Sequence, residues 1–201
     1  VRLYTRTLLP KDGGKVPVVF VRTPYAKTDG VFSHVAEKVK GDDYSKRGYA
    51  RVTQHRRGSG ASEGLCRPYI EREDGLDTLE WIRKQSWYNG EIFLEGGSYL
   101  ASVHLTYLSA DPPDIKGAAF SIQTDRMQPR QYRNGCNYNW CNYGWWWGMI
   151  RREFPNPSRD CVRRPYKDNF RRAFGNDDPR YTGMLSHTKA DEFWASDPRW
   201  N

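Results

Sequence analysis

The chain switches repeatedly between strand-like runs and helix-like stripes, and that alternation limits its fold more than any other feature. Lys15-Val16-Pro17-Val18-Val19-Phe20-Val21 is a β-rich run too short for a helix, and Pro24 in Arg22-Thr23-Pro24-Tyr25 terminates it. Val1 to Leu9 reads as an earlier strand. Val31, Val35 and Val39 recur at helical spacing within 31–40; Gly48 closes that stretch, and Tyr49 to Thr53 resumes strand character. Asp74 to Lys84 predicts a helix, with Leu76, Leu79, Trp81 and Ile82 on one stripe, acids early and bases late as the macrodipole prefers. Ile92 to Leu94 predicts a short strand running into Gly96-Gly97-Ser98. Leu100, Val103, Tyr107 and Leu108 then predict a helix ending before Asp111-Pro112-Pro113, and Lys116 to Ser121 another strand. Strands alternating with helices predict an α/β chain whose mostly parallel sheet is covered on both faces. In such sheets reactive groups collect at the carboxyl ends of the strands.

After about residue 124 the composition shifts to Arg, Asn, Tyr and Trp without β periodicity, so a core over 1–124 and a mainly helical insertion with long loops over 125–201 are expected. An aromatic share of 14% is too rich for a disordered chain. The apolar share of 37% is nevertheless low against the ~45 to 50% of an average domain, even with Gly counted in place of Tyr. Polypeptide preceding Val1 or following Asn201 is therefore expected, the more so because Val1 is not an initiator Met and opens within a strand-like run. A formal charge of +8 gives general attraction to polyanions but names no partner. The longest apolar run, Val16 to Val21, falls far short of the ~20 residues of a membrane helix, so no membrane partner is expected. Cys66, Cys136, Cys141 and Cys161 lack the paired C-x2-C spacing of a zinc site. They read as partly buried thiols, with a Cys136–Cys141 disulfide as the alternative, and no metal or cofactor is expected.

Gly96-Gly97-Ser98-Tyr99-Leu100-Ala101 lies between a predicted strand and a predicted helix, the setting of a nucleophile elbow. There the nucleophile sits on a strained turn, and a small residue such as Gly96 lets the helix pack close to the strand. The helix start offers N–H groups and a positive dipole end to an oxyanion. The usual pattern has Gly two residues after the Ser, where this chain has Leu100. The alternative is a plain helix N-cap, which Ser favours.

Arg22-Thr23-Pro24-Tyr25, Arg57-Gly58-Ser59-Gly60-Ala61-Ser62-Glu63-Gly64, Glu73-Asp74-Gly75-Leu76-Asp77, Trp81-Ile82, Gln85-Ser86-Trp87, Asn89-Gly90 and Gly96-Gly97-Ser98-Tyr99 resemble, in order and spacing, the cocaine esterase family. That family comprises α/β-hydrolase serine esterases and acylases related to X-Pro dipeptidyl peptidases. The resemblance covers about residues 1–122, and His187 to Trp194, with Asp191, Phe193 and Trp194, is similar to the exit of the helical cap that these enzymes insert. It implies an α/β-hydrolase core with the start of a cap, Ser98 as the acylated nucleophile, the Tyr99 backbone N–H as one oxyanion donor and the Tyr25 hydroxyl as the other. A Tyr hydroxyl, with a pKa near ~10, stays protonated at pH 7 and can donate. Trp145 and Trp146, in the aromatic cluster from 138 to 147, read as walls of an acyl pocket, or alternatively as cap core.

Ser is a weak nucleophile unless a base takes its proton, and that base needs orienting. Only His104 and His187 follow Ser98. His104 lies about 9 Å down the elbow helix at ~1.5 Å per residue and reads as a helix-face residue, while His187 belongs to the cap-exit motif. In the family the acid and the His come after the cap, so a second chain or a missing segment is expected to supply Asp and His. The chain also departs from the family at His55, where an acid is usual, and at Glu91, Phe93 and Glu95, where apolar residues or Gly are usual. Glu95 buried without a partner would be costly. Arg57 is expected to order its loop, and Glu73, Asp74 and Asp77 to be helix N-terminal acids.

The expected function is a serine hydrolase acting on a small-molecule ester or activated amide without a cofactor, with a homo-oligomer left open. The rivals are a catalytically inert fragment or homologue, favoured by the altered elbow strand, and a basic aromatic binder of single-stranded nucleic acid. The latter would use the aromatic cluster with Arg130, Arg133, Arg151 and Arg152. No recognised nucleic-acid module accompanies that cluster, so no nucleic-acid partner is expected.

Overall fold

Val16–Thr23 forms the central strand because its β-branched side chains suit a position buried on both faces, and Pro24 cannot extend the ladder. The computed structural model describes residues 1–25, 44–66, 71–123, 127–137, 168, 171–172, 177 and 179–195. Two compact units result, Val1–Gln123 and Thr124–Asn201.

In the first unit, β1 (Thr5–Leu8), β2 (Val16–Thr23), β3 (Ala50–His55), β4 (Tyr88–Gly97) and β5 (Ile115–Ser121) form a sheet of order β1-β3-β2-β4-β5. β3, β2, β4 and β5 run parallel, and β1 pairs antiparallel with β3. This is the expected mostly parallel α/β sheet. Pro17 is tolerated in a central strand because the β2–β4 register shifts between Val16 and Val18. Helices α1 (Arg72–Arg83) and α2 (Tyr99–Leu108) supply Leu79, Ile82 and Tyr107 to a core with Val18 and Phe20 of β2, Ala50 and Val52 of β3, and Ile92 and Leu94 of β4. These side chains are no more than 1% exposed, and each large apolar one contributes ~1.5 to 3 kcal/mol.

The floor of the sheet is fastened by charge. Arg83 at the end of α1 donates to both carboxylate oxygens of Asp114, at 2.8 and 2.6 Å, and the Tyr88 hydroxyl donates to Asp114 at 2.8 Å. Burial alone would raise the Asp114 pKa, but these donors and the Arg83 charge hold it below the usual carboxylate range.

Several expectations change in detail. Regular pairing begins only at Thr5, not at Val1. β4 starts at Tyr88 rather than Ile92; exposed Asn89, Gly90 and Glu91 hide its beginning from a hydrophobicity reading. Helix α1 starts at Arg72, two residues before Asp74. The predicted helix at 31–40 and the aromatic cluster at 138–147, including Trp145 and Trp146, lie outside the described residues.

The second unit, expected to be mainly helical and without β periodicity, also contains a short hairpin. After α3 (Met127–Gln131), β6 (Tyr132–Arg133) pairs antiparallel with β7 (Cys136–Asn137). Asn134 and Gly135 connect them with φ of 50° and 78°, the positive angles an Asn-Gly hairpin turn requires. α4 (Pro179–Ser186) and α5 (Glu192–Ala195) follow. Buried Tyr132 donates through its hydroxyl to the Met184 carbonyl at 2.8 Å. Cys136 carries an exposed free thiol, and Cys141, its partner in the alternative disulfide, lies outside the described residues. No helix among the described residues is long and apolar enough to cross a membrane.

Candidate active site

The parallel strands β2, β3, β4 and β5 end on one edge of the sheet, where Tyr25 follows β2 and Ser98 and Tyr99 follow β4. β4 stops at Gly97 and α2 starts at Tyr99, leaving Ser98 alone to reverse the chain. Its backbone has φ 56° and ψ −123°, outside the regions a residue with a Cβ adopts without strain. Such a residue costs about 1–3 kcal/mol and persists only where its surroundings enforce it.

The enforcing contacts are visible. The Ser98 N–H donates to the Ser121 carbonyl of β5 at 2.7 Å, and the Ser98 carbonyl accepts from the Ala101 and Ser102 N–H groups at 3.1 and 3.2 Å. Gly96 is obligatory: a Cβ there would lie 2.4 Å from the Leu100 carbonyl carbon and 2.5 Å from the Ala101 nitrogen. The close approach thus falls before the serine, and Leu100 sits buried in the first turn of α2. Ser98 occupies the N-cap position but its side chain makes no capping hydrogen bond, unlike the plain N-cap alternative.

Tyr99 is the first residue of α2 and only 1% exposed. Tyr25 lies two residues beyond β2, half-buried, its N–H donating to Thr23 Oγ1 at 3.0 Å. Continued from Phe20↔Leu94, the parallel register sets Thr23 level with Gly97, so Tyr25 and Ser98 leave the sheet at the same edge. Trp145 and Trp146 lie outside the described residues.

Beneath the elbow is a polar cluster that the sequence reading missed. Glu71, Arg56 and Arg22 are fully buried. The Tyr99 hydroxyl and Arg56 Nη1 both donate to Glu71 Oε1, at 2.5 and 2.7 Å. Arg56 also donates to Cys66 Sγ, and its guanidinium lies 5.4 Å from the Tyr99 ring centre. Arg22 donates to the Glu71 carbonyl and to Gln54 Oε1, both at 3.0 Å. Burial lowers the pKa of Arg22; Arg56 is raised, since Tyr99, Glu71 and Cys66 together outweigh its burial. A signal did exist: Gln54 and Arg56 continue the alternation of buried Ala50 and Val52.

The departures from the expected pattern are accommodated. Glu95 points away from the α1 and α2 core and is half-buried with Tyr44 and Arg51 facing it. Burial first, then Glu95 through charge and a hydrogen bond, raises the Tyr44 pKa. The cost of burying Glu95 without a partner is thus not incurred. His55 packs on Tyr4, ring centres 4.6 Å apart, and its Nδ1 accepts from the Ala61 N–H at 3.3 Å. Arg57 forms a bidentate ion pair with Asp74, at 2.6 and 2.5 Å, tying the 57–64 loop to α1. Asp74 is therefore a structural partner, and Glu73 lies in the first turn of α1.

The histidines after Ser98 are otherwise engaged. His104 is fully buried, its Nδ1 2.5 Å from the Tyr107 hydroxyl and its ring stacked on Phe120. Burial, then the nearby Arg22 charge, pushes its pKa down to about 3, so it stays neutral. In the second unit, His187 Nδ1 lies 2.8 Å from Asp191 Oδ2 and the ring stacks on Phe193. The His187 carbonyl accepts from Trp194 Nε1 at 2.8 Å, fastening the link between α4 and α5. Among the described residues no group of His, Cys, Asp and Glu could hold a metal ion.

Comparison with known proteins gives the family and the fold. The family model for X-Pro dipeptidyl-peptidase (S15 family) matches residues 1–199. Cocaine esterase from Rhodococcus sp. (strain MB1 Bresler) is 42% identical over 101 residues, which cover 50% of this chain and 17% of that enzyme. A CocE/NonD family hydrolase from Staphylococcus aureus superposes with a TM-score of 0.66 at 23% identity, over 97% of this chain and 35% of its own. An alpha-amino acid ester hydrolase superposes with a TM-score of 0.62 at 23% identity, over 98% and 37%. The sheet is thus that of the α/β-hydrolases, and the chain spans about a third of the length of these structures.

Proposed function

Because the chain belongs to the X-Pro dipeptidyl-peptidase (S15) family, we propose that it carries the nucleophile and oxyanion hole of a serine hydrolase acting on a small-molecule ester or activated amide. Ser98 Oγ attacks the substrate carbonyl carbon while its proton passes to a histidine base, which with its aspartate comes from a segment or chain beyond this sequence. The tetrahedral oxyanion accepts hydrogen bonds from the Tyr99 N–H and the Tyr25 hydroxyl, aided by the α2 dipole. Collapse expels the alcohol or amine, which takes the proton back from the histidine, and water then hydrolyses the acyl-enzyme by the same route.

The observation that carries this reading is the Ser98 backbone at φ 56° and ψ −123°, maintained without a capping bond from its hydroxyl. A serine serving only as a cap would use its side-chain oxygen on the helix N–H groups and would have no need of strain. Steady-state hydrolysis of a small aryl ester by the full-length protein tests it. Ser98→Ala should abolish turnover, and Tyr25→Phe should lower kcat about 10²- to 10³-fold, the usual loss for one oxyanion donor. Equal turnover by protein and Ser98→Ala would leave the inert reading.

A further inference from the structure

The Ser98 strain is restrained on its upstream side by the Ser98 N–H bond to Ser121 and by the close approach at Gly96. On its downstream side the next residue is Tyr99, whose ring is held at two points. The phenol donates to Glu71 Oε1 at 2.5 Å, and the Arg56 guanidinium lies over the ring at 5.4 Å. Glu71 itself cannot drift. Arg56 Nη1 donates to the same oxygen at 2.7 Å, and the Glu71 carbonyl accepts from Arg22 of β2 and from the Gly75 N–H in α1, each at 3.0 Å. Glu71, Arg56 and Arg22 are all 0% exposed.

Burying a carboxylate and guanidinium groups is a poor way to stabilise a core, since well-packed apolar side chains of the same volume often serve as well or better. What such a cluster supplies is direction: a short charge-assisted hydrogen bond fixes its donor more tightly than dispersion contacts do. Here the donor belongs to Tyr99, the residue whose peptide N–H is the proposed oxyanion donor. We propose that Glu71 is a positioning residue, holding the Tyr99 phenol so that the Ser98–Tyr99 peptide keeps the orientation the oxyanion needs. The inference rests on the acyl-enzyme reading of Ser98. Arg56 acts in turn on Glu71, neutralising it and fixing its rotamer.

The test uses the full-length protein, p-nitrophenyl butyrate as substrate, and the variants Glu71→Gln, Tyr99→Phe and their combination, assayed well below each melting temperature. Loss of the anchor should shift the peptide by a fraction of an ångström to an ångström. Each single variant should therefore lose about 10- to 100-fold in kcat with KM nearly unchanged. The double variant should lose no more than the worse single one, because both substitutions break the same bond. Tyr99→Phe keeps the ring and its volume, so it carries the test if Glu71→Gln fails to fold. Wild-type kcat in folded Tyr99→Phe, or losses that multiply in the double variant, would overturn the inference while leaving Ser98 as the nucleophile. Absence of Ser98-dependent turnover in the unmodified protein would overturn both.

Discussion

Replacing Ser98 by Ala and by Gly separates backbone strain from hydroxyl chemistry, because only Gly is at ease at φ 56° and ψ −123°. The Ser98 hydroxyl makes no capping bond, so Ser98→Ala loses little and keeps the strained Cβ. Ser98→Gly removes that Cβ and relieves about 1–3 kcal/mol. Against this stands the greater freedom of Gly in the unfolded chain, about 0.5–1 kcal/mol. Taking the middle of each range, the Gly variant should therefore exceed the Ala variant by about 1 kcal/mol, and each kcal/mol is about 2–4 °C in melting temperature for a chain of this size. Urea unfolding of the two variants side by side measures the difference directly. A Gly variant equal to or less stable than the Ala variant would refute a strained elbow.

Gly96→Ala should act by the opposite route: its Cβ must push the first turn of α2 by about 1 Å to reach normal contact with Leu100 and Ala101. The expected result is a loss of about 1–3 kcal/mol by thermal unfolding, with ester turnover falling about 100-fold. His104 predicts a pH signature. Its folded pKa of about 3 lies below the ~6.5 of an unfolded histidine, so below pH 6.5 the unfolded chain takes up a proton that the folded chain refuses. Stability should consequently fall by up to about 1.4 kcal/mol per pH unit from 6.5 towards 5, and His104→Gln should flatten that slope in equilibrium unfolding.

The parts of this fold that could be read from the sequence are those specified locally. Pro24 marks the end of β2, and the stripe of Leu79 and Ile82 marks α1, because turn residues and periodicity act within a few positions. The elbow was legible for the same reason, since Gly96, Gly97 and Ser98 are adjacent. β4 was underestimated because its first half faces solvent, and the Asn134-Gly135 hairpin was overlooked although the dipeptide is its usual signature. What no local pattern shows is pairing across the chain. Tyr99 and Glu71 lie 28 residues apart, and the partners of Glu95 come from the β3 side of the sheet and the turn preceding it. Charged residues such as Arg56, just past β3, and Glu71, at the N-cap of α1, count as surface in a hydrophobicity reading, although both are buried.

The central claim, that Ser98 is an activated nucleophile, is tested most directly by treating the full-length protein with a fluorophosphonate and locating the adduct by peptide mass spectrometry. One phosphonyl group per chain on the peptide containing Ser98, absent in Ser98→Ala, is the predicted result. A folded protein that stays unmodified, or that carries the group on another residue, would contradict it.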